Sequence, residues 1–262
     1  MSENHEPSSE TDQLKTVGDY WSTRSDGFSE YMLEHLDGEE NKLYFSRIRE
    51  FSGTRKMNVL DAGCGPGMFS MVLGKDGHNV TAIDYSDGMI AKAKENCKNA
   101  GVPANILKMD AQNLEFPDES FDLIVSRKVI WNLPDPVRAY REWLRVLKKG
   151  GKMILFDGNY FLRMYDEEYK IQAEKRMSES KIRYSEEDRK KFNQGGDPNI
   201  LNGFAKDLPL SKLRRPQWDV GILTELGVRR IAVDVVTYFT VEREDGTEAE
   251  LPETFILTVD KY

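Results

Sequence analysis

Residues 59–67 combine an apolar run, a carboxylate and three alternating glycines. The run ends at Asp61, and the glycines that follow it are Gly63, Gly65 and Gly67. Because glycine has no Cβ, its backbone tolerates positive φ and lets a ligand approach closely. The spacing departs from the G-x-G-x-x-G pattern of dinucleotide-binding turns, since Met68 stands where that pattern has its third glycine. The segment therefore predicts a ligand-contacting turn between a strand and a helix.

A second carboxylate follows one strand-helix-strand length further on. Residues 68–73 predict a crossover helix, and residues 79–84 predict a second strand that ends at Asp84. A carboxylate at this place in a βαβ unit accepts hydrogen bonds from the hydroxyls of a ribose. Alternatively, Asp84 helps Ser86 to begin the next helix. The distance between the glycine turn and the acid favours the ribose-binding interpretation.

A third segment, residues 106–111, ends in Asp110 and Ala111, and residues 117–126 lead into a fourth strand. In their order, the glycine turn, Asp84 and these segments resemble the motifs of class I S-adenosylmethionine (SAM)-dependent methyltransferases. The resemblance covers residues 57–157 and, more loosely, residues 216–262. It is closest to the small-molecule branch that includes the quinone-biosynthesis methyltransferases.

The resemblance implies SAM as cofactor and S-adenosyl-L-homocysteine (SAH) as product. It assigns the exocyclic amine of adenine to Asp110 and a ring nitrogen to the backbone N–H of Ala111. Aromatic faces attract a sulfonium and a guanidinium pairs with a carboxylate, so Tyr20 and Arg24 are predicted to close over the cofactor, unless they only pack their helix onto the core. The predicted cofactor-binding residues are Tyr20, Arg24, Asp61, Gly63, Cys64, Gly65, Gly67, Asp84, Tyr85, Asp110, Ala111 and Ser126.

Methyl transfer requires alignment and exclusion of water more than acid–base chemistry. The sequence leaves the catalytic residue open, with Tyr20, His35, Trp131, Asn132 and Tyr160 as the candidates. His35 is either a base or a surface residue. No metal is expected, because Ser126 and Arg127 stand where metal-dependent catechol methyltransferases carry a carboxylate. Arg127 either holds an acidic substrate or is a structural, salt-bridged residue.

Alternating strands and helices predict an α/β fold. We expect a Rossmann-like, seven-stranded, mostly parallel sheet with an antiparallel last strand, helices on both faces and a helical lid. Residues 228–236 and 254–259 predict the last two strands, joined as a hairpin. The predicted parts are a disordered tail (1–12), a helical cap (13–51), a SAM-binding core (52–157), a substrate-selecting lid (158–215) and the C-terminal part of the core (216–262).

The charge of the chain bears on its partners. Its 262 residues carry a formal net charge of −8, which argues against a phosphate-backbone partner. No apolar run approaches the length of a membrane span, and no secretory signal is expected. We therefore expect a cytoplasmic enzyme with a small-molecule substrate, no nucleic-acid partner, and a monomeric or homodimeric state that the sequence leaves open. The alternatives are a quinone-type C-methyltransferase and a catalytically silent SAM-binding regulatory protein.

Overall fold

The computed structural model describes residues 9–183, 195–243 and 245–262. Its strands are β1 (Asn58–Ala62), β2 (Asn79–Asp84), β3 (Asn105–Lys108), β4 (Phe121–Arg127), β5 (Leu147–Gly158), β6 (Arg230–Glu242) and β7 (Glu248–Asp260). The helices in these ranges are α1 (Glu10–Glu34), α2 (Glu39–Ser52), α3 (Met68–Lys75), α4 (Asp87–Asn99), α5 (Pro136–Val146), α6 (Glu167–Arg183), α7 (Pro198–Ala205) and α8 (Gln217–Glu225).

The strands form one seven-stranded sheet in the order β3-β2-β1-β4-β5-β7-β6. The first five strands in this order pair in parallel, and β7 runs antiparallel between β5 and β6. The predicted fold class is thereby confirmed. The terminal hairpin is also present, with strands of 13 residues each that extend well past the predicted ranges.

Apolar side chains cover both faces of the sheet. One cluster joins the sheet to α2, α3 and α4 and includes Ile48, Phe69 and Ala93. The other joins it to α5 and α8 and includes Trp143 and Leu223. Burial on both faces explains why the central strands read as nearly continuous apolar runs.

The N-terminal part begins earlier than predicted. Ser9 caps α1 by accepting a hydrogen bond from the backbone N–H of Asp12 at 3.2 Å. Residues 10–12 are therefore helical, which corrects the end of the predicted tail, and residues 1–8 lie outside the described part of the chain. The predicted cap is two helices, because α1 ends at Glu34 and α2 begins at Glu39.

A buried ionic network holds the segment before α8 against the end of β5. Arg215 is fully buried, with its Nη1 2.8 Å from Asp157 Oδ2 and its Nη2 2.7 Å from Asp219 Oδ1. The Tyr140 hydroxyl donates to the same Asp219 oxygen at 2.5 Å. Buried charges persist only when they are paired and hydrogen-bonded. The network therefore anchors the end of the predicted lid beside the carboxyl edge of the sheet.

The predicted lid contains α6 and α7 in its described part. The sequence of the lid predicts two helical stretches, residues 171–177 and 186–192, and the first lies inside α6. The second stretch lies outside the described residues. Whether residues 158–215 select a substrate stays a prediction.

Candidate active site

A cavity of about 350 Å³ lies between α1 and the carboxyl ends of β1, β2 and β4. Its wall contains the glycine turn, the end of β2, the segment after β4 and one side of α1. Its volume falls in the range of small-molecule sites. Ligands of open α/β sheets bind at this edge, where the carboxyl ends of parallel strands meet.

The three glycines of the turn have different surroundings. A Cβ on Gly63 would lie 2.3 Å from a methyl of Val129, and one on Gly67 would lie 3.2 Å from Ala93 Cα. A Cβ on Gly65, whose φ is +53°, would meet no atom closer than 3.9 Å. Gly63 and Gly67 thus allow close packing within the protein. Gly65 presents bare backbone to the cavity.

Asp84 stands beside this bare backbone. Its Oδ2 accepts a hydrogen bond from the Gly65 N–H at 2.9 Å, and its Oδ1 accepts one from the Ser86 N–H at 2.9 Å. Burial raises the pKa of Asp84, against the opposing effect of these amides. Because each carboxylate oxygen accepts more than one hydrogen bond, both retain capacity toward the cavity. The geometry is compatible with a role in the turn and with a role toward a ribose.

Asp61 lies deeper, at the end of β1. It is 2% exposed, and its Oδ2 accepts hydrogen bonds from the Ser70 hydroxyl at 2.7 Å and from the Ser70 N–H at 3.0 Å. Burial raises the pKa of Asp61 to about 7, because these hydrogen bonds only partly offset the loss of water. Asp61 therefore orients α3 and contributes to the floor of the cavity.

The raised pKa of Asp61 predicts a pH dependence of folding. Between the ordinary pKa of 3.8 and the folded value of about 7, the folded state holds a proton that the unfolded state has lost. Stability should therefore decrease across this range by about 1.4 kcal/mol per pH unit from this group. Urea unfolding from pH 4 to pH 8 should show a shallower decrease in Asp61→Asn, whose amide stays neutral and still accepts from Ser70. Parallel curves for the two proteins would contradict the assignment.

Helix α1 forms the roof of the cavity. A Cβ on Gly18 would lie 2.7 Å from the Tyr85 ring, and the hydroxyls of Ser22 and Ser86 are 2.9 Å apart. The small residues of α1 therefore let it pack directly on the end of β2 and the start of α4. Tyr85 supports the roof and also lines the cavity.

Tyr20 and Arg24 reach the cavity from this helix and are 5% and 7% exposed. The glycine pair just before α7, Gly195 and Gly196, packs against this part of α1. A Cβ on Gly196 would lie 2.1 Å from Arg24 Cδ. A Cβ on Gly195 would lie 2.3 Å from the Thr23 carbonyl oxygen. The absence of side chains at these two glycines thus permits close contact with α1.

The segment after β4 supplies the opposite wall. Trp131 stacks on Phe161 at 4.9 Å between ring centroids and meets the Tyr160 ring edge-on at 5.9 Å. Asn132 is 8% exposed and lines the same cavity. Four of the five candidates for the catalytic role, Tyr20 included, therefore line the main cavity.

Twelve of the residues that the sequence predicts for the site thus line the same cavity. They are Tyr20, Arg24, Asp61, Gly63, Cys64, Gly65, Asp84, Tyr85, Ala111, Trp131, Asn132 and Tyr160. Their contact with a ligand stays a prediction. The wall is continuous from the glycine turn to the segment after β4, so one molecule can meet both.

Four predicted residues do not line the cavity: His35, Gly67, Asp110 and Ser126. The Ser126 hydroxyl donates to the Ala62 carbonyl at 2.7 Å and so ties β4 to β1. Asp110 Oδ1 accepts from the backbone and side-chain nitrogens of Gln112 at 2.9 and 3.0 Å, which closes a turn. Both side chains serve local structure in this arrangement.

His35 lies at the end of α1 and is exposed. Its ring stacks on Tyr31 at 4.2 Å, and its Nδ1 lies 2.9 Å from the Tyr31 carbonyl oxygen. It borders a second, smaller cavity beside the first. The structure therefore does not bring His35 to the wall that holds the other candidates.

Sequence reasoning missed Lys128. This residue lines the cavity, adopts φ +58°, and donates its backbone N–H to the Phe156 carbonyl at 2.8 Å. Burial, followed by the charge of Arg127, lowers the pKa of Lys128 to about 8. Positive φ is uncommon for a residue with a side chain and concentrates at functional sites. No local motif signals it.

Several cavity residues carry a buried polar atom with no hydrogen-bond partner among the described residues, including Trp21 Nε1, Arg127 Nε and Asn132 Oδ1. An unpaired buried donor or acceptor costs about 1–3 kcal/mol. Two donors and one acceptor that border one cavity therefore fit a polar ligand that satisfies them.

The fold and the cavity define an α/β protein with a ligand site at the carboxyl edge of its sheet. A methyltransferase-domain family model matches residues 60–155. Over 181 residues the chain is 31% identical to the demethylmenaquinone methyltransferase of Staphylococcus aureus, covering 64% of this chain and 74% of that protein. The chain belongs to the class I SAM-dependent methyltransferase family, whose cofactor is SAM.

Other relatives match a smaller share of the chain. The chain is 39% identical over 107 residues to the phosphatidylethanolamine N-methyltransferase of Cereibacter sphaeroides, covering 40% of this chain and 51% of that protein. The chain spans about half the length of several curated relatives that it matches.

A solved structure from Methanococcus maripaludis, assigned to the SAM-dependent methyltransferases, is 22% identical. The match covers 100% of this chain and 97% of that one with a TM-score of 0.53, which shows a shared fold. None of the helices in residues 9–183, 195–243 and 245–262 is long and apolar enough to cross a membrane.

Proposed function

We propose that this chain transfers a methyl group from SAM to a small-molecule acceptor by in-line displacement. The observation that carries the proposal is a single cavity bordered by the bare backbone at Gly65, the Asp84 carboxylate and a wall of unpaired polar atoms. The first two features suit an adenosine-type ligand, and the last suits an acceptor beside it.

The residues present fit the cofactor. Asp84 would accept hydrogen bonds from the ribose hydroxyls, and Gly65 leaves room for a ligand against the turn. Arg24 would pair with the methionine carboxylate and Tyr20 would face the sulfonium. Bound SAM supplies an electrophilic methyl group, which needs no acid or base from the protein to leave its sulfur.

The protein's contribution in this proposal is alignment and exclusion of water. The roof over the cavity is rich in buried aromatic residues, and the ring of Tyr20 meets those of Trp21 and Phe204 at 5.4 and 5.5 Å. Holding two reactants in line lowers the entropic part of the barrier, and removing water protects the nucleophile.

Trp131, Asn132 and Tyr160 would orient the acceptor. Burial raises the pKa of Tyr160 well above its ordinary value, so its hydroxyl stays neutral. Tyr160 therefore serves as a hydrogen-bonding and packing group instead of a base. Asn132 Oδ1 would accept an N–H or O–H of the acceptor.

The setting of the protein is part of the proposal. The net charge of −8 suits a small-molecule enzyme of the cytoplasm without a nucleic-acid partner. The Asp157 carboxylate is paired with Arg215, which suits metal-independent chemistry. A monomer and a homodimer are both compatible with the chain.

A quinone-type C-methyltransferase is the second candidate. The insertion contacts the cavity through apolar residues, Pro198 and Leu201, which would suit a prenylated substrate. Relatives from Listeria and Staphylococcus are named demethylmenaquinone methyltransferases. The two cations after β4 favour a charged acceptor over this neutral one.

Incubation with methyl-labelled SAM and a cell extract tests the proposal. Mass spectrometry should find label on a low-molecular-weight compound, and the Gly65→Val protein serves as the control that should transfer none. SAM binding without labelled product in any extract would identify a catalytically silent SAM-binding protein. Label on a prenylated quinol would establish the second candidate.

A further inference from the structure

A second cavity of about 230 Å³ adjoins the main cavity beneath the junction of α1 and α2. Phe28, Met32, Met68 and Arg127 line both. Of these four shared residues, Arg127 is the one with a positive charge. A molecule that meets Arg127 would therefore also contact the apolar side chains of Phe28, Met32 and Met68.

Lys128 adds a second cation to the wall. Its side chain retains 35% exposure, and its Nζ lies 3.9 Å from Glu40 Oε1 and 5.9 Å from the centroid of the Tyr160 ring. The Tyr44 hydroxyl donates to Glu40 Oε1 at 2.5 Å. One carboxylate thus lies close to the two cations.

The charges at this boundary do not cancel. The other neighbouring carboxylate, Asp157, lies 2.8 Å from Arg215, which it shares with Asp219, and burial raises the pKa of Asp157. Burial would raise the pKa of Glu40, but Lys128, the Tyr44 hydroxyl and Arg127 together lower it, so Glu40 is ionised. Arg127, Lys128 and Glu40 together carry a charge of +1 at this boundary. One bound monoanion would neutralise it.

We propose that Arg127 and Lys128 form a subsite for the carboxylate of the methyl acceptor, which is a small monocarboxylic acid with an apolar body. This inference rests on the proposed function and names the substrate class of that site. The Arg127 Nε lacks a partner among the described residues. A planar guanidinium pairs with a planar carboxylate through two parallel hydrogen bonds. A phosphate dianion would exceed the charge available.

The left-handed backbone of Lys128 supports this role. A residue with a side chain at φ +58° is held there only when surrounding contacts determine it, as the hydrogen bond to Phe156 does here. Strain of this kind indicates that the position of the Lys128 side chain is functionally constrained.

The subsite should depend on pH. The charged and titratable groups that face Lys128 are Arg127, Glu40, Asp157, Tyr44 and Tyr160. Burial raises the pKa values of both tyrosines, so they stay neutral. With a pKa of about 8, Lys128 is protonated below this pH and loses its charge above it. Binding of a carboxylate should therefore weaken as the pH rises from 7 to 9.

The test uses sodium benzoate as the probe and benzamide as its neutral isostere. The full-length protein is first titrated with SAH by calorimetry, then the SAH-loaded protein is titrated with each probe at constant ionic strength. Benzoate should bind at least tenfold more tightly than benzamide and inorganic phosphate, at concentrations up to about 20 mM. Failure of SAH to bind would contradict the proposed function itself, so the two results are distinguishable.

Substitutions then assign the effect. Arg127→Gln and Lys128→Met should each weaken benzoate binding at least tenfold and leave SAH binding within about threefold. Arg127→Lys, which keeps the charge without the planar donors, should give an intermediate loss. Lys94→Gln removes an exposed cation of α4 and should leave benzoate binding unchanged.

Retained SAH binding shows that each variant is folded. Equal affinity for benzoate and benzamide, tighter binding of phosphate, no benzoate binding, or unchanged benzoate binding in Arg127→Gln would each overturn the subsite. Benzoate binding that stays equally tight from pH 7 to pH 9 would also overturn the subsite.

Discussion

The Gly65→Val variant should lose SAH binding by about a hundredfold or more, equivalent to about 3 kcal/mol. Gly65 lines the cavity and has φ +53°, and its missing Cβ faces open space with no atom closer than 3.9 Å. A valine side chain would fill the space that the ligand needs. Calorimetric titration with SAH measures the effect.

Gly77→Val is the matched control, because it separates backbone strain from loss of ligand space. Gly77 also has a positive φ, +88°, and a Cβ there would meet no atom within 4 Å, but it lies outside the cavity. Both variants should be destabilised, by about 1–2 kcal/mol or more, since left-handed backbone disfavours side chains. Only the Gly65 variant should lose SAH. Equal losses of affinity in both would show that strain, not contact, explains the result.

Asp84→Ala should weaken SAH binding by about 1–3 kcal/mol, because two ribose hydroxyls would then be buried without acceptors. The same substitution also frees the N–H groups of Gly65 and Ser86, so the melting temperature should decrease. Calorimetry and thermal unfolding separate these two consequences.

Asp87→Ala provides the comparison for Asp84. Asp87 is three residues away, its side chain is 77% exposed, and it pairs with Lys108 at 2.7 Å. Exposed ion pairs contribute about 0–1 kcal/mol, so this variant should keep both its stability and its affinity for SAH. If Asp84→Ala bound SAH as tightly as the parent protein, Asp84 would have only its structural roles in the glycine turn and at the start of α4.

The bounds of the strands and helices near the glycine turn can largely be predicted from local sequence. The predicted second strand has the bounds of β2, Asn79–Asp84, because turn residues limit its apolar run on one side and a helix cap limits it on the other. The start of α5 depends on a local signal too: the pair Asp135-Pro136 predicts a cap and a first helical residue, and Asp135 caps the helix by accepting from the Arg138 N–H at 2.9 Å. Patterns of this kind need no knowledge of distant contacts.

The acceptor side depends on contacts that local sequence does not record. The sequence predicts Ser126 at the cofactor, but its hydroxyl faces β1, and the next residue, Arg127, lines the cavity. Successive side chains of a strand point to opposite faces, so an uncertainty of one residue exchanges the two roles. The positive φ of Lys128 depends on its contact with β5, so the local sequence does not predict it.

The N-terminal boundary illustrates another limit. The polar sequence of residues 1–12 predicts disorder, but Ser9 caps α1, and residues 10–12 are helical. An amphipathic helix derives most of its stability from tertiary packing. The buried contact of α1 with Tyr85 and α4 therefore decides a boundary that composition alone places further along the chain.

Affinity for SAH compared with affinity for NAD⁺ is the measurement that tests the central claim most directly. Isothermal calorimetry on the full-length protein should give a dissociation constant for SAH in the micromolar range, about −8 kcal/mol, with NAD⁺ at least a hundredfold weaker. The glycine spacing and the acceptor-side wall both favour this result. NAD⁺ binding as tight as SAH binding would contradict the assignment of the cavity to a methyl-donor cofactor.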